Sequence, residues 1–222
     1  MSQIKLAVLD MAGTTVSDNG EVFSAFVETL NQHGLEFTRE EVYRVRGASK
    51  RQAILNFIPE GPNRKQQADE VYFSFRDHLA HLYETNGVTP LEGAEEVFQK
   101  LRAAGISVVL NTGFDREITR LLLQALKWEN GTVDAIVCGD DVIRGRPAPY
   151  LIFHAMELTG TDSAANVVNV GDTAIDLEAG MNAGVSLNIG VLSGAHDRQL
   201  LESAPHTHIL PSIAHLPTVL GI

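Results

Sequence analysis

The chain has 222 residues, 44% hydrophobic and 20% charged, which suits one sizeable core or a core with a small insert and excludes a disordered chain. Its formal charge is −11 with no Lys/Arg cluster beyond short pairs, so a nucleic-acid partner is not expected, and any anionic substrate needs locally placed cations or a metal. No apolar run reaches the ~18 residues of a membrane span, and the single cysteine, Cys138, leaves no internal disulfide.

The opening MSQIKLAVLD lacks a basic region, a long apolar stretch and a cleavage site; it reads as a first strand rather than a signal peptide, and the expected location is the cytoplasm. That strand, residues 5–10, ends on Asp10 and runs into the small turn AGTT. From 17 to 87 only helical patterns occur. Phe23, Phe26, Val27 and Leu30 form one stripe closed by Gly34. Thr38 with Glu41, and Ser49 with Gln52, have the spacing of capping boxes. A long helix is predicted over residues 66–84, stopped by Asn86-Gly87, with His78 and His81 on one solvated face. An exposed apolar side of this helix would let two copies pair.

Beyond residue 87, strand and helix patterns alternate. Ala94, Val97, Phe98 and Leu101 share a face before the stop at Gly105. Residues 107–111 read as a strand, and Asp115 is placed to cap a helix carrying Ile118, Leu121, Leu122 and Ala125. Residues 135–138 form a third strand, with Cys138 a packing residue at its end. Pro147 suits the first turn of a helix ending near Leu158. Strands at 167–170 and 185–189 complete five, and His206 and His208 fall in a last extended stretch, two histidines short of a metal site. Near-continuous apolar strands alternating with helices predict a doubly wound, parallel, five-stranded Rossmann-like α/β sheet with an α-helical cap inserted after strand 1. The expected division is a catalytic core of residues 1–16 and 88–222 and a cap of residues 17–87, seated over the carboxyl edge where such sheets bind ligands.

The polar residues of the strand ends meet at that edge. Asp10 follows the first strand, Thr112 and Gly113 the second; Arg146 lies in GRPAP after the third, and Asp172 and Asp176 follow the fourth in GDTAID. Singly, each has a structural reading: a cap, a turn residue, a solvated loop charge, an acid favouring a helix N-terminus. Together, three converging carboxylates repel unless a cation joins them, and hard oxygen ligands suit Mg²⁺. Thr112 can donate to a phosphoryl oxygen, Arg146 adds a fixed positive charge, and the glycine turn offers backbone N–H groups to the same anion.

LDMAGTT, NTG, GRPAP and GDTAID, with the helical insert, resemble the haloacid dehalogenase superfamily over essentially the whole chain. The resemblance implies that Asp10 attacks phosphorus and forms an aspartyl phosphate. It implies that Mg²⁺ is held by Asp10, the Ala12 carbonyl and Asp172 with support from Asp176, and that Thr112 and Arg146 hold the transferring group. Gly13, Thr14, Gly47 and Gly113 would line the substrate site. Most phosphatases of the superfamily carry a general-acid aspartate two residues after the nucleophile; here that residue is Ala12, which cannot donate a proton. This alanine is similar to the phosphonatase branch, whose DMAGTT-like motif has a tryptophan in place of Met11. There a cap lysine forms a Schiff base with the substrate aldehyde, so the leaving group is an enamine and needs no acid on oxygen.

The candidate lysine is Lys50 in RGASK. Just past a helix start, beside Mg²⁺ and Arg146, its pKa would fall and its amine become free to attack. Ala53 stands where that branch has a histidine, Arg46 where it has a methionine, and Phe114 where it has a tyrosine. Lys50 therefore has two readings, Schiff-base nucleophile or simple substrate grip. The leading expectation is a Mg²⁺-dependent, phosphonatase-like hydrolase of a small phosphonate or organophosphate. The alternatives are a phosphomonoesterase lacking the usual acid, a dehalogenase-type hydrolase, which has no use for the metal carboxylates, and a binding protein retaining the phosphate pocket. After the fifth strand, Ser193 and Gly194 are placed to line the pocket.

Overall fold

The computed structural model describes residues 3–129 and 131–222. β1 (Leu6–Asp10) is wholly buried and carries alternate side chains into two different cores. Ala7 and Leu9 face one cluster, Leu6 and Val8 the other. Burial on both faces is why the strand reads as a continuous apolar run.

Four helices come after β1: α1 (Glu21–Gln32), α2 (Arg39–Arg44), α3 (Lys50–Leu55) and α4 (Arg64–Asn86). Phe26 of α1 meets Phe75 of α4 edge-on, with ring centroids 5.8 Å apart. His78, expected to be solvated, instead ties α4 to α1 through Thr29 Oγ1 at 3.0 Å. The Thr38–Glu41 capping box forms as its spacing predicts. The one expected at Ser49–Gln52 does not: Ser49 occupies the N-cap position without a side-chain bond, and Gln52 Oε1 accepts from Gly145 N at 3.4 Å. A tertiary partner took the side chain that the local motif would have used.

The remaining elements are α5 (Ala94–Ala103), β2 (Ser107–Asn111), α6 (Arg116–Leu126), β3 (Ala135–Val137), α7 (Tyr150–Thr159), β4 (Val167–Gly171), α8 (Ala174–Ala183), β5 (Leu187–Val191), α9 (Arg198–Glu202), β6 (His208–Leu210) and α10 (Leu216–Leu220). The sheet is parallel, in the order β3-β2-β1-β4-β5-β6. Helix α5 covers one face, with Val97, Phe98 and Leu101. Helices α7 and α8 cover the other, with Leu151, Ile152, Ala155 and Ala179. Asp115 caps α6, accepting from Ile118 N at 2.9 Å.

Three expectations are corrected. Among the described residues the sheet has six strands rather than five: β6 is a three-residue edge strand, half exposed, too short and too mixed to show a buried-strand pattern. The fifth strand begins two residues late, because Val185 N closes the end of α8 on Gly180 O at 3.2 Å. α7 starts at Tyr150, with Pro149 as its N-cap, and Pro147 stands outside it. Cys138 is buried, as expected. No helix among the described residues is long and apolar enough to cross a membrane.

Candidate active site

Parallel strands place their carboxyl ends on one edge, and the register sets Asp10 beside Asn111. Arg146 enters between them. Its Nη1 lies 2.7 Å from Asp10 Oδ1 and 2.8 Å from Asp176 Oδ1. Its Nη2 donates to the Asn111 side chain at 2.8 Å and to the Asn111 carbonyl at 3.2 Å. All of these groups are buried. Arg146 thus locks the ends of β1 and β2 to the start of α8 through charge-assisted hydrogen bonds. Breaking a buried pair leaves uncompensated charge. Arg146→Met is therefore expected to cost about 3–5 kcal/mol in urea unfolding without divalent ions; a change under about 1 kcal/mol would show that the clamp is not structural.

Asp176 has a second role. With Thr173 it forms a capping box at the start of α8, its Oδ2 accepting from Thr173 N at 3.0 Å and from Thr173 Oγ1 at 2.5 Å. Asp172 is held from the opposite side: its Oδ2 accepts from Ala195 N at 2.6 Å, and its Oδ1 faces Thr14 Oγ1 at 3.5 Å. Gly13 lies so close that an added Cβ would sit 2.5 Å from Asp172 Oδ2, and at Gly194 it would sit 2.5 Å from Asp172 Cγ. Gly13 also has φ +88°, so glycine is required there on two counts.

Burial pushes the Asp10 carboxyl up to about 7 against the pull of Arg146, and Asp176 adds to the rise. Burial, then repulsion from Asp10 and Asp176, holds Asp172 well above the usual carboxylate range. Asp10 and Asp176 thus share one guanidinium, and Asp172 stands beside them without an ion pair to it. This oxygen-rich, charge-deficient set fits a divalent cation. Among the described residues, no three His, Cys, Asp or Glu side chains form a ready-made metal cage. Two carboxylates with a backbone carbonyl are nonetheless a donor set that Mg²⁺ accepts, since it is usually held by one or two carboxylates and keeps several waters.

The helical segment supplies the facing wall. Lys50 opens α3, is 7% exposed, donates to the Ala48 carbonyl at 3.2 Å, and lies 5.9 Å from the Phe26 ring centroid. Burial pulls its pKa down to about 8; Asp18 opposes this, Arg146 and Arg46 reinforce it, and Asp10 opposes it. The loop before Lys50 presses on the core. A Cβ at Gly47 would strike Thr173 Oγ1, and one at Gly113 would sit 2.9 Å from the Ala48 carbonyl oxygen. Arg46 stacks on Phe23 and Tyr43, 4.8 and 4.5 Å from their centroids, and donates to the Ala195 carbonyl at 3.1 Å.

Between the walls lies a cavity of about 60 Å³. Asp10, Ala12, Lys50, Thr112, Arg146 and Asp172 all line it, as do Gly47 and Gly113. Thr112 Oγ1 accepts from Phe114 N at 3.1 Å, which leaves its O–H to donate into the cavity. Gly13, Thr14 and Asp176 stand behind the lining, the first two against Asp172. Ala53 is buried within α3.

Four residues here lie outside the sequence-based expectation: Asn111, Asp18, Arg46 as a clasp, and His196. Asn111 carried a signal, a polar residue ending an apolar strand beside Thr112. His196 carried none: it is placed by the fold to accept from Ala174 N at 3.0 Å, and burial lowers its pKa.

A parallel α/β sheet with a buried carboxylate at the end of β1 and two more after β4 is the setting of a phosphoryl-transfer or related hydrolase. The model of the haloacid dehalogenase-like hydrolases matches residues 7–189, and the chain belongs to that family of enzymes. Among its relatives, the phosphonoacetaldehyde hydrolase of Bacillus cereus strain AH187 is 30% identical over 220 residues, 92% of this chain and 82% of the relative. The crystal structure of a phosphonoacetaldehyde hydrolase-like protein from Oleispira antarctica superposes with a TM-score of 0.84 at 25% identity, covering 99% of this chain and 92% of that one. A hydrolase from Pseudomonas syringae shares the fold, with a TM-score of 0.86 at 21% identity over 98% of each chain.

Proposed function

We propose that this hydrolase is Mg²⁺-dependent and cleaves the carbon–phosphorus bond of a small phosphonate aldehyde, phosphonoacetaldehyde or a near relative, through an aspartyl phosphate on Asp10. The observation that carries the reading is the shared cavity: Lys50 lines the same small space as Asp10, with Ala12 where a general acid would stand. Residues 17–87 act as the cap and 1–16 with 88–222 as the core.

In this reading Asp10 attacks phosphorus, with Thr112 and Arg146 orienting the phosphoryl oxygens and Gly47 and Gly113 shaping the space around the substrate. Asp10, the Ala12 carbonyl and Asp172 would hold Mg²⁺, with Asp176 in support and Gly13 and Thr14 setting Asp172. The ion would neutralise charge on the phosphoryl oxygens. The Lys50 amine condenses with the aldehyde, and the iminium takes up the electron pair of the breaking bond. The product side is an enamine, so Ala12 is no deficit. Ala53 favours a second reading, a phosphomonoesterase in which Lys50 only grips substrate. Pairing of two copies through α4 has exposed Phe73 in its support.

Turnover of a panel of phosphonates and phosphate esters, with Mg²⁺ and with EDTA, tests the proposal. The expected result is phosphonoacetaldehyde cleavage that EDTA abolishes. Mg²⁺ should also raise the melting temperature of the resting protein, and Asp172→Asn should remove that shift. Ester hydrolysis without phosphonate cleavage selects the second reading, and EDTA-resistant turnover removes the metal.

Imine formation also makes a pH prediction. Only the neutral amine attacks, and with a pKa of about 8 roughly a tenth of Lys50 is neutral at pH 7, far more than for an ordinary lysine. The rate of borohydride trapping with phosphonoacetaldehyde is expected to rise through about pH 8 and then level off. A rise delayed beyond pH 10 would contradict the desolvated amine.

A further inference from the structure

Making an imine from Lys50 requires a proton carrier, and α3 offers none: Ala53 is apolar and buried. The ionisable side chains lining the cavity are Asp10, Asp18, Arg46, Lys50, Arg146 and Asp172. The two arginines do not exchange protons near neutrality. Asp10 is committed to phosphorus and Asp172 to the cation. His196 is not in the lining, and its Nδ1 is occupied by Ala174 N. Asp18 remains.

Its placement suits the task. Asp18 sits where the chain leaves the core for α1, half-buried, with Oδ1 accepting from Gly20 N at 3.1 Å and Val22 N at 3.3 Å. These bonds hold the carboxyl at the mouth of α1, on the cavity wall it shares with Lys50. Glu21 stands beside it, bonded to Asn19 N at 2.7 Å and to Asn86 Nδ2 at 3.3 Å. Burial opposes the charge on both carboxyls. The hydrogen bonds of Glu21 outweigh it and hold that group low, while Asp18 is raised. Neighbouring carboxyls pushed apart in this way divide into one that keeps its charge and one that takes the proton.

We propose that Asp18 is the acid–base residue for imine formation, carrying protons between the Lys50 amine and the carbonyl oxygen of the bound aldehyde. The proposal rests on the Schiff-base reading above. Asp18 takes one proton from the Lys50 ammonium. The freed lone pair forms the C–N bond as the carbonyl π pair moves onto oxygen. A second nitrogen proton passes to that oxygen through the Asp18 site, giving a neutral carbinolamine. Protonated Asp18 then returns its proton to the hydroxyl, the C–O bond breaks, water leaves, and the nitrogen pair closes the iminium. Asp18 ends as it began.

The test is borohydride trapping with phosphonoacetaldehyde across pH, on wild type, Asp18→Asn and Asp18→Glu. Asparagine can still accept from Gly20 N and Val22 N, so folding is checked by an unchanged circular dichroism melt and a retained Mg²⁺-induced shift. The charges acting on Lys50 are Asp18, Arg146, Arg46 and Asp10. Removing Asp18 therefore lowers the amine pKa, and the pH limb should move to lower pH. At pH 7, where Lys50 is mostly the ammonium that Asp18 deprotonates, the trapping rate should nevertheless fall about 10²-fold, with kcat reduced more than KM is changed, and Asp18→Glu should recover part of the loss. A packing role would not combine a more available amine with a slower reaction. If wild type traps and Asp18→Asn traps as fast, the proposal fails while the Schiff-base reading stands. If wild type does not trap at all, both fail.

Discussion

Asp10→Asn is expected to abolish turnover, lowering kcat by at least ~10⁴-fold while leaving the fold intact, since a nucleophile has no substitute within its own reaction coordinate. The amide can still accept from Arg146 through Oδ1, so the clamp between β1, β2 and α8 persists. It also removes one of three crowded acids from a buried site whose repulsion raises Asp172. The variant should therefore melt no lower than wild type in EDTA, although Mg²⁺ should stabilise it less. Steady-state kinetics and melting curves with and without Mg²⁺ measure both effects. Unchanged activity would remove Asp10 as nucleophile; lost activity with a collapsed melt would make the loss uninformative about chemistry and point to the clamp.

Lys50→Arg is the second decisive substitution, because it separates charge from nucleophilicity. Arginine keeps a cation over the cavity and can still donate to the Ala48 carbonyl, but it offers no free amine near neutrality. Phosphonoacetaldehyde cleavage is expected to fall by ~10³-fold or more, with borohydride labelling lost altogether, because covalent catalysis through the amine is gone. A variant that retains more than about a tenth of wild-type turnover would mean that Lys50 grips rather than reacts, and the phosphomonoesterase reading would take over. The burial that lowers the lysine pKa to about 8 also argues that an obligate cation is costly at this position.

Much of this site was legible in the chain because parallel strands impose a simple rule: the residues just past each apolar run arrive at the same edge. Asp10, Thr112, Arg146 and Asp172 follow that rule, and Ala12 stands out only against the family that LDMAGTT resembles. The helical insert was legible from the Phe23, Phe26, Val27 and Leu30 stripe, the cap signals at Thr38 and Ser49 and the stop at Asn86-Gly87. β6 was not counted, because a three-residue edge strand carries no two-sided apolar run. The Ser49–Gln52 spacing marks a helix start but closes no box, since Gly145 competes for the Gln52 side chain.

Asp18 and Asn111 mark the boundary between the two kinds of information. Asp18 is an ordinary polar residue in its own neighbourhood, and Asn111, though marked by its place at a strand end, becomes part of the site only through Arg146. Local order in the sequence determined five of the strands, the helices between them and the ends they present, while the resemblance implied that a carboxylate-rich edge lacks its usual second acid. Only the tertiary structure decided that Arg146 spans Asp10 and Asp176, that Arg46 fastens to Ala195, and that Asp18 shares a wall with Lys50. The physical reason is that backbone periodicity is set by residues three or four apart, whereas desolvation and charge pairing depend on distances in space that the packed core alone establishes.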